Sequence, residues 1–307
     1  MTRVAAVDMG TNSTRLLVAD VDGRGRDAKL VTVDRRTRIT RLGQGVDRER
    51  ALHPDAIERT LTVLREYRGV MDELGVERVR ATATSAARDA SNRDALFDPT
   101  EELLGVRPEL LSGDEEARLE FLGATADLNE QGPYFLVDVG GGSTEIIVGT
   151  DEPVELCSID VGCVRLTEQF LHSDPPTAEE LSQAVSVVRD ELADVGRRFP
   201  STWDAPTLVG TAGTVWTLAA IELGVDAARS DLIDHVRLPR AAVEEVFRTL
   251  ATESIEQRRH NPGLEPGRVD VIVGGAIVVV SVMRHWGFDE LLVSEADILD
   301  GLARETL

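Results

Sequence analysis

Two stretches of the chain carry one pattern, 130 residues apart. Residues 4–20 read VAAVDMGTNSTRLLVAD and residues 134–150 read YFLVDVGGGSTEIIVGT. Asp8 falls on Asp138, Gly10 on Gly140, Ser13 on Ser143 and Thr14 on Thr144, while Leu16, Leu17 and Val18 fall on Ile146, Ile147 and Val148. Each copy is an apolar run ending in Asp, a glycine-containing turn and a second apolar run, which predicts strand, tight turn, strand. Glycine permits the turn and lets the backbone approach a ligand closely. Two such copies imply two domains with the same core. The length of 307 residues agrees with that, at about 150 residues per domain.

The rest of each half alternates strands and helices, so the expected class is α/β. In the first half, residues 28–39 read as a strand. Pro54 to Leu74 reads as a helix with apolar positions at Ile57, Leu61, Leu64 and Val70, stopped by Gly75. Val76 to Thr82 is a predicted strand, TSAARDASN a polar turn and Asp114 to Leu128 a helix. In the second half, Glu155 to Val161 and Thr207 to Val209 read as strands, GTAGT as a turn, and Leu291 to Val293 as a strand. Helices are expected over 178–199, 215–223, 241–250 and 269–286. The final helix, from about Asp297, has no partner in its own half and is expected to pack on the first domain. The expected domains are therefore 1–120 with about 295–307, and 121–294, with a helical joint near residues 112–130.

Composition narrows the function. The net charge of −22 argues against nonspecific binding to nucleic acid or anionic lipid. It leaves room for a polyanionic substrate held by a local cluster of positive charge. Lys29 is the only lysine, a bias that genome composition explains, with an acidic surface adapted to salt as a second explanation. No apolar run approaches the roughly 20 residues of a membrane span. The longest, Val271 to Met283, contains Gly274 and Gly275 and reads as a core helix. The N-terminus reaches Asp8 too early for a signal-peptide core, so the expected location is the cytoplasm. Cys157 and Cys163 have no metal-ligand spacing and read as free buried thiols, and none of the five histidines sits in a metal motif.

The chemistry-bearing candidates lie at the loops. In DMGTNST (8–14) and DVGGGST (138–144), successive backbone amides can converge on an anion, with hydroxyl donors from Thr11, Ser13, Ser143 and Thr144. A strand-ending carboxylate beside such a cradle can hold Mg²⁺, directly or through water. The alternative is a pair of hairpin turns with Asp as turn former. GTAGT (210–214) stands between a strand and a helix, where free amides and the helix dipole attract phosphate, or where a simple tight turn suffices. Arg88 offers a fork of donors for phosphate, or a salt bridge to Asp89 or Asp94. Asp114, Glu115 and Glu116 open a helix and serve its dipole, unless one accepts the proton of an attacking water. Glu145 stands where the first copy has Arg15, a charge reversal that suggests division of labour within the duplication.

These segments resemble the exopolyphosphatase / guanosine pentaphosphate phosphatase family. The resemblance runs through DMGTNSTRLLVAD, ATSAARDASN, SGDEEARLEFLGA, FLVDVGGGSTEIIVG, DVGCVRLTE, GTAGT and VIVGGAIV. Within the family the chain looks closest to short actinobacterial exopolyphosphatases, which share RLGQGVD (41–47), LHSDPPT (171–177) and SEADILDG (294–301).

The resemblance implies two RNase H-like domains of the actin-like ATPase, sugar kinase and Hsp70 superfamily, with the site in the cleft between them. It implies hydrolysis of terminal phosphate from polyphosphate, Glu116 as catalytic base and Arg88 as phosphate clamp. Mg²⁺, with Mn²⁺ as a substitute, would sit on Asp138 and Glu145 with Asp8 nearby. Phosphate contacts would come from Gly10, Thr11, Asn12 and Ser13, from Gly140, Gly141, Gly142, Ser143 and Thr144, and from Gly210, Thr211, Ala212, Gly213 and Thr214. Long members carry further C-terminal helical domains, so short chains are the expected substrate here. The rival within the family is the stringent-response nucleotide pppGpp, which loses its terminal phosphate by the same chemistry. Outside it the rivals are an ATP-dependent kinase and a non-catalytic phosphate-ligand sensor. A homodimer is expected from the family and from the frequency of two-fold assemblies.

Overall fold

The computed structural model describes residues 1–128 and 132–307. The chain divides into two compact units, Met1–Leu128 with Ala296–Leu307, and Asn129–Glu295. The expected boundary at 120/121 lies inside a helix, and the division falls after that helix ends. Residues 129–131, part of the joint expected to be helical, lie outside the described residues.

The first unit opens on β1 (Thr2–Met9), β2 (Ser13–Asp22) and β3 (Lys29–Ile39). There follow α1 (Val46–Glu49), α2 (Pro54–Leu74), β4 (Arg78–Ala83), α3 (Ser85–Asp89), α4 (Asp94–Leu104), β5 (Glu109–Leu110) and α5 (Gly113–Thr125). The strand order is β3-β2-β1-β4-β5, with β2 antiparallel to its neighbours and β4 parallel to β1 and β5. Pro54 at the first turn and the left-handed Gly75 bound α2, which buries Ala56, Leu61, Leu64, Tyr67 and Met71 against the sheet.

The second unit repeats the plan. It runs β6 (Tyr134–Val139), β7 (Thr144–Gly149), β8 (Pro153–Ile159), α6 (Cys163–Phe170), α7 (Ala178–Arg198), β9 (Thr207–Thr211), α8 (Ala212–Leu223) and α9 (Ser230–Ile233). It closes with β10 (Arg237–Pro239), α10 (Arg240–Thr252), α11 (Ile255–Arg258), α12 (Ile272–Trp286) and β11 (Glu290–Val293). The order β10-β11-β9-β6-β7-β8 is the first sheet's arrangement with one edge strand added. This is the expected pair of RNase H-like α/β units.

The last helix, α13 (Ile298–Arg304), belongs to the first unit. It buries Ile298, Leu299, Leu302 and Ala303 against Val4, Ala6, Leu17 and Leu119. The expectation that it returns to the first domain is met.

Several local expectations change. TSAARDASN, read as a polar turn, holds α3, whose Ser85, Ala86 and Ala87 are buried. Five residues are too few to show a helical period. α4 was not expected because Pro99 lies inside it, yet the helix buries Leu96, Phe97, Thr100 and Leu104. GTAGT contains no separate turn: Gly210 and Thr211 end β9 and Ala212 begins α8, with the change of direction taken by Ala212 at φ 61°. Among the described residues no helix is long and apolar enough to cross a membrane. Cys157 and Cys163 are free and buried, and burial pushes the Cys163 thiol up, away from thiolate chemistry.

Candidate active site

The repeat forms matching hairpins. In β1–β2, Asp8 pairs with Arg15 and Met9 with Thr14, and Gly10 N donates to Ser13 O at 2.9 Å. In β6–β7, Asp138 pairs with Glu145 and Val139 with Thr144, and Gly140 N donates to Ser143 O at 3.1 Å. The turns are tight enough that a Cβ on Gly10 or Gly140 would lie 3.2 or 3.1 Å from that serine carbonyl. β1 and β6 each have the hairpin partner on one side and a parallel strand on the other. Ligands of open α/β sheets bind outside the carboxyl ends of such strands, where the connections part. Asp8 and Asp138, 1% and 5% exposed, stand at those ends.

In each loop three successive amides, those of Thr11, Asn12 and Ser13 and those of Gly141, Gly142 and Ser143, donate to no other described residue. Loop carbonyls are instead clasped from outside. Thr40 N and Arg41 N donate to Asn12 O, and Gly43 N to Thr11 O at 2.8 Å. In the second unit the start of α6 does the same: Cys163 N reaches Gly140 O, Val164 N reaches Gly141 O and Arg165 Nε reaches Gly142 O, all within 2.9 Å. A Cβ on Gly162 would come within 2.5 Å of Gly141 O, so that approach needs glycine. The clasps fix both loops with their amides unspent, which is the arrangement an anion cradle requires. The Asn12 side-chain amide is buried, and neither polar atom has a partner among the described residues.

Not every expected donor faces outward. Thr144 is fully buried and its hydroxyl donates to Val161 O at 2.5 Å, holding the hairpin to the chain after β8. Thr214 Oγ1 donates to Val139 O at 2.9 Å and so ties the start of α8 to the second loop.

Arg88 and Glu116, 28 residues apart in sequence, come together. Arg88 lies on α3 after β4, and Glu116 in the first turn of α5 after β5. Arg88 Nη1 donates to Glu116 Oε2 at 2.5 Å and to Leu111 O at 3.0 Å. The Ser112–Glu115 capping box starts α5 and takes Glu115 out of consideration as a base, since Glu115 accepts from the Ser112 amide and hydroxyl. Glu116, 8% exposed, is free of that duty.

The two carboxylate rungs differ. Asp8 Oδ2 accepts from Arg15 Nη2 at 2.8 Å, and Asp8 Oδ1 from Thr82 Oγ1 at 3.3 Å. Arg15 also reaches Asp297 Oδ2 at 2.6 Å, and Arg35 bridges Asp297 and Asp300. Burial pushes the Asp300 carboxyl up, against the pull of Arg35. On the second unit's rung two carboxylates stand opposite each other, and Glu145 Oε1 accepts from Ser158 at 2.7 Å. Like charges directly opposite on a ladder repel, so the rung suits a cation between its oxygens.

Two features lay beyond the sequence reading. One is the Asp8–Arg15–Asp297–Arg35–Asp300 network, which joins residues nearly 300 positions apart. The other is Arg268, 8% exposed, whose Nη2 would lie 2.0 Å from a Cβ on Gly213. A buried cation thus rests against the start of α8, and no motif around Arg268 marked it.

Comparison with known proteins agrees with the fold. The family model described as the Ppx/GppA phosphatase family matches residues 17–306. The chain is 47% identical over 313 aligned positions to a Mycobacterium tuberculosis protein named exopolyphosphatase 2, covering 99% of this chain and 98% of that one. A crystal structure described as an exopolyphosphatase-like protein superposes with a TM-score of 0.93 at 36% identity, covering 99% and 97% of the two chains. One described as an exopolyphosphatase from Cytophaga hutchinsonii gives 0.89 at 25% identity, covering 98% and 96%. The chain belongs to the Ppx/GppA phosphatase family.

Proposed function

We propose that the protein is an exopolyphosphatase, a Mg²⁺-dependent hydrolase that removes the terminal phosphate of inorganic polyphosphate in the cytoplasm. The observation that carries the reading is the Arg88–Glu116 contact, a carboxylate and a guanidinium fork at the carboxyl end of the sheet that bears the Thr11–Ser13 amides. Hydrolysis needs a carboxylate to take the proton of the attacking water and donors to neutralise the transferring phosphoryl oxygens.

Before substrate arrives, Arg88 is held in an ion pair with Glu116 at 2.5 Å. A terminal phosphate, carrying more negative charge than a carboxylate, competes for the guanidinium fork. As Arg88 turns to the phosphate, the Glu116 oxygen it held is released to face the attacking water. Glu116 then accepts one water proton, and the resulting hydroxide oxygen bonds to phosphorus as the bridging P–O bond breaks. The Thr11, Asn12 and Ser13 amides of the first unit's loop would hold non-bridging oxygens.

Asp138 and Glu145 would hold Mg²⁺. Among the described residues no group of three or more His, Cys, Asp or Glu side chains is arranged for a metal. Two carboxylates with water and phosphate oxygens is a usual Mg²⁺ environment. Asp8, with Oδ2 committed to Arg15, is the weakest of the three expected donors. When bound, Mg²⁺ supplies charge neutralisation at the phosphate oxygens.

The test is orthophosphate release from short and long polyphosphate, pppGpp and ATP, with and without Mg²⁺. Release from polyphosphate should depend on Mg²⁺ and fall about 100-fold or more in Glu116→Gln, with the unfolding midpoint retained. Undiminished turnover in Glu116→Gln would remove the base assignment. Preference for pppGpp would move the protein to the nucleotide branch with the same residues, and phosphate transfer from ATP to an acceptor would make it a kinase.

A further inference from the structure

We propose that Arg41, Arg48 and Arg50 form an outer subsite that grips the phosphates of a polyphosphate chain beyond the one being cleaved. The proposal rests on the polyphosphate reading above. It begins with a local reversal of charge. The chain's net charge is −22, yet residues 35–50, RRTRITRLGQGVDRER, hold six arginines against two acids.

All six already have partners within the chain, and they differ in where the chain places them. Arg35 is drawn into the Asp297–Asp300 network, Arg36 binds Asp34, and Arg38 lies near Glu66 beside α2. Arg41, Arg48 and Arg50 belong to the segment that leaves β3 at the site end of the sheet. That end is fixed by register, since Ile39 pairs with Ser13 at the start of β2.

The segment touches both halves of the first unit's site. Arg41 N donates to Asn12 O at 2.9 Å and Gly43 N to Thr11 O, against the first loop. A Cβ on Gly43 would lie 2.3 Å from Thr11 Cγ2 and 3.2 Å from the Ala86 Cβ, so it is wedged between that loop and α3. At its other end, Ser91 N and Oγ donate to Arg50 O, and Leu52 and Asn92 exchange hydrogen bonds. Arg41 and Arg50 therefore flank the loop that would cradle the terminal phosphate and the helix that carries Arg88. The Arg48 and Arg50 side chains are 83% and 64% exposed and so accessible to a solute from solvent.

The backbone adds an independent observation. Arg41 and Arg50 both have φ of 52°, in the left-handed region where glycine or asparagine is the low-cost choice. They are two of the four non-glycine residues with positive φ among the described residues. Glycine at either position would relieve strain of about 1 kcal/mol per residue. An arginine kept at such a position points to a use for its side chain, and a polyanion is the ligand a guanidinium fork suits best. Their existing contacts, Arg48 to Glu49 at 2.8 Å and Arg50 to Asp89 at 3.6 Å, are made by exposed arginines for which a phosphate can compete.

The test compares tripolyphosphate, which offers only two phosphates beyond the one cleaved, with polyphosphate of medium length. The variants are Arg50→Gly and the double substitution Arg48→Gln with Arg50→Gly. kcat/KM for the longer chain should fall about three- to tenfold relative to tripolyphosphate, and its dependence on NaCl should become shallower. Arg50→Gly should meanwhile unfold at the same or a higher temperature, which a merely structural role would not allow.

Equal losses on both substrates, or no loss on either, overturn the subsite. Direct binding of medium-length polyphosphate to the same proteins separates the two claims. Binding that depends on the arginines but without hydrolysis overturns only the exopolyphosphatase reading. Hydrolysis that ignores the arginines overturns only the subsite.

Discussion

Replacing Gly301 by alanine should destabilise the first unit, although alanine is the better helix former. Gly301 lies inside α13, and its Cβ would stand 2.0 Å from Leu119 O on α5. Gly123, on α5, faces the same crossing, with a Cβ only 1.8 Å from Asp297 O. A comfortable carbon–oxygen contact is about 3.3 Å. Because the obstructing atoms are backbone, no rotamer change relieves the clash, and the helices must part by about 1 Å. Full undocking would expose Ile298, Leu299 and Leu302, at about 1.5–3 kcal/mol each. That total rivals the ~5–15 kcal/mol stability of a whole domain, so the helix should shift rather than leave.

Overpacking of this kind costs about 1–3 kcal/mol and occasionally more, and the gain in helix propensity returns about 1 kcal/mol. The backbone clash puts Gly301→Ala at the upper end, with a net loss of about 2 kcal/mol and a midpoint lower by roughly 4–8 °C. Gly69→Ala is the control of opposite sign. Gly69 is inside α2, nothing lies within 4 Å of its Cβ position, and it should gain about 0.5–1 kcal/mol. Thermal and urea unfolding followed by circular dichroism would measure both. Gly301→Ala unfolding at or above the parent midpoint would refute the claim that backbone contact sets the α5–α13 distance.

Two further outcomes follow from buried polar groups. Asp297→Asn keeps a capping side chain for α13 but withdraws the charge that holds Arg15 and Arg35, so it should cost about 1–3 kcal/mol, and Asp297→Ala about 1 kcal/mol more. Equal costs in urea unfolding would mean that the cap contributes nothing. His285 packs against Trp203 and Trp286, its Nε2 is buried without a partner among the described residues, and burial holds its pKa below the usual 6.5. The unfolded chain therefore takes up the proton first, and stability falls as pH drops below about 6.5. His285→Phe should flatten the slope of stability below about pH 6.5, and an unchanged slope would exclude His285 as its source.

The features legible in sequence are those a short stretch determines alone. The hairpins are read from apolar runs, a terminal Asp and a turn glycine, and their register follows because a strand slipped by one residue would turn its apolar face outward. α2 is bounded by Pro54 and Gly75, each acting on its own backbone. What stayed hidden depends on distant pairing. Arg88 meets Glu116 only because β4 and β5 lie side by side and launch α3 and α5 from the same end. Asp297 meets Arg15 only because α13 returns across the chain. α4 was masked by Pro99, a residue that ordinarily ends a helix, and α3 by its shortness. The catalytic roles proposed for Arg88 and Glu116 came from family resemblance, and residue spacing alone left them as a surface ion pair and a helix-dipole acid.

The duplicated rung explains why one scaffold yields two kinds of site. In both hairpins the aspartate ends the central strand, and the residue seven positions on stands opposite it. With arginine there, the first unit's rung is closed by its own ion pair and anchored through Asp297, so its charge is settled within the protein. With glutamate there, the second unit's rung concentrates negative charge at the mouth of a loop whose amides favour an anion. Carboxylates and phosphate oxygens repel each other at that spot. The Mg²⁺ proposed above, shared by both, would turn that repulsion into a binding term. On the proposed reading, the exchange of Arg15 for Glu145 would make phosphate binding at the second loop depend on a metal, whereas the first rung is already neutralised by Arg15.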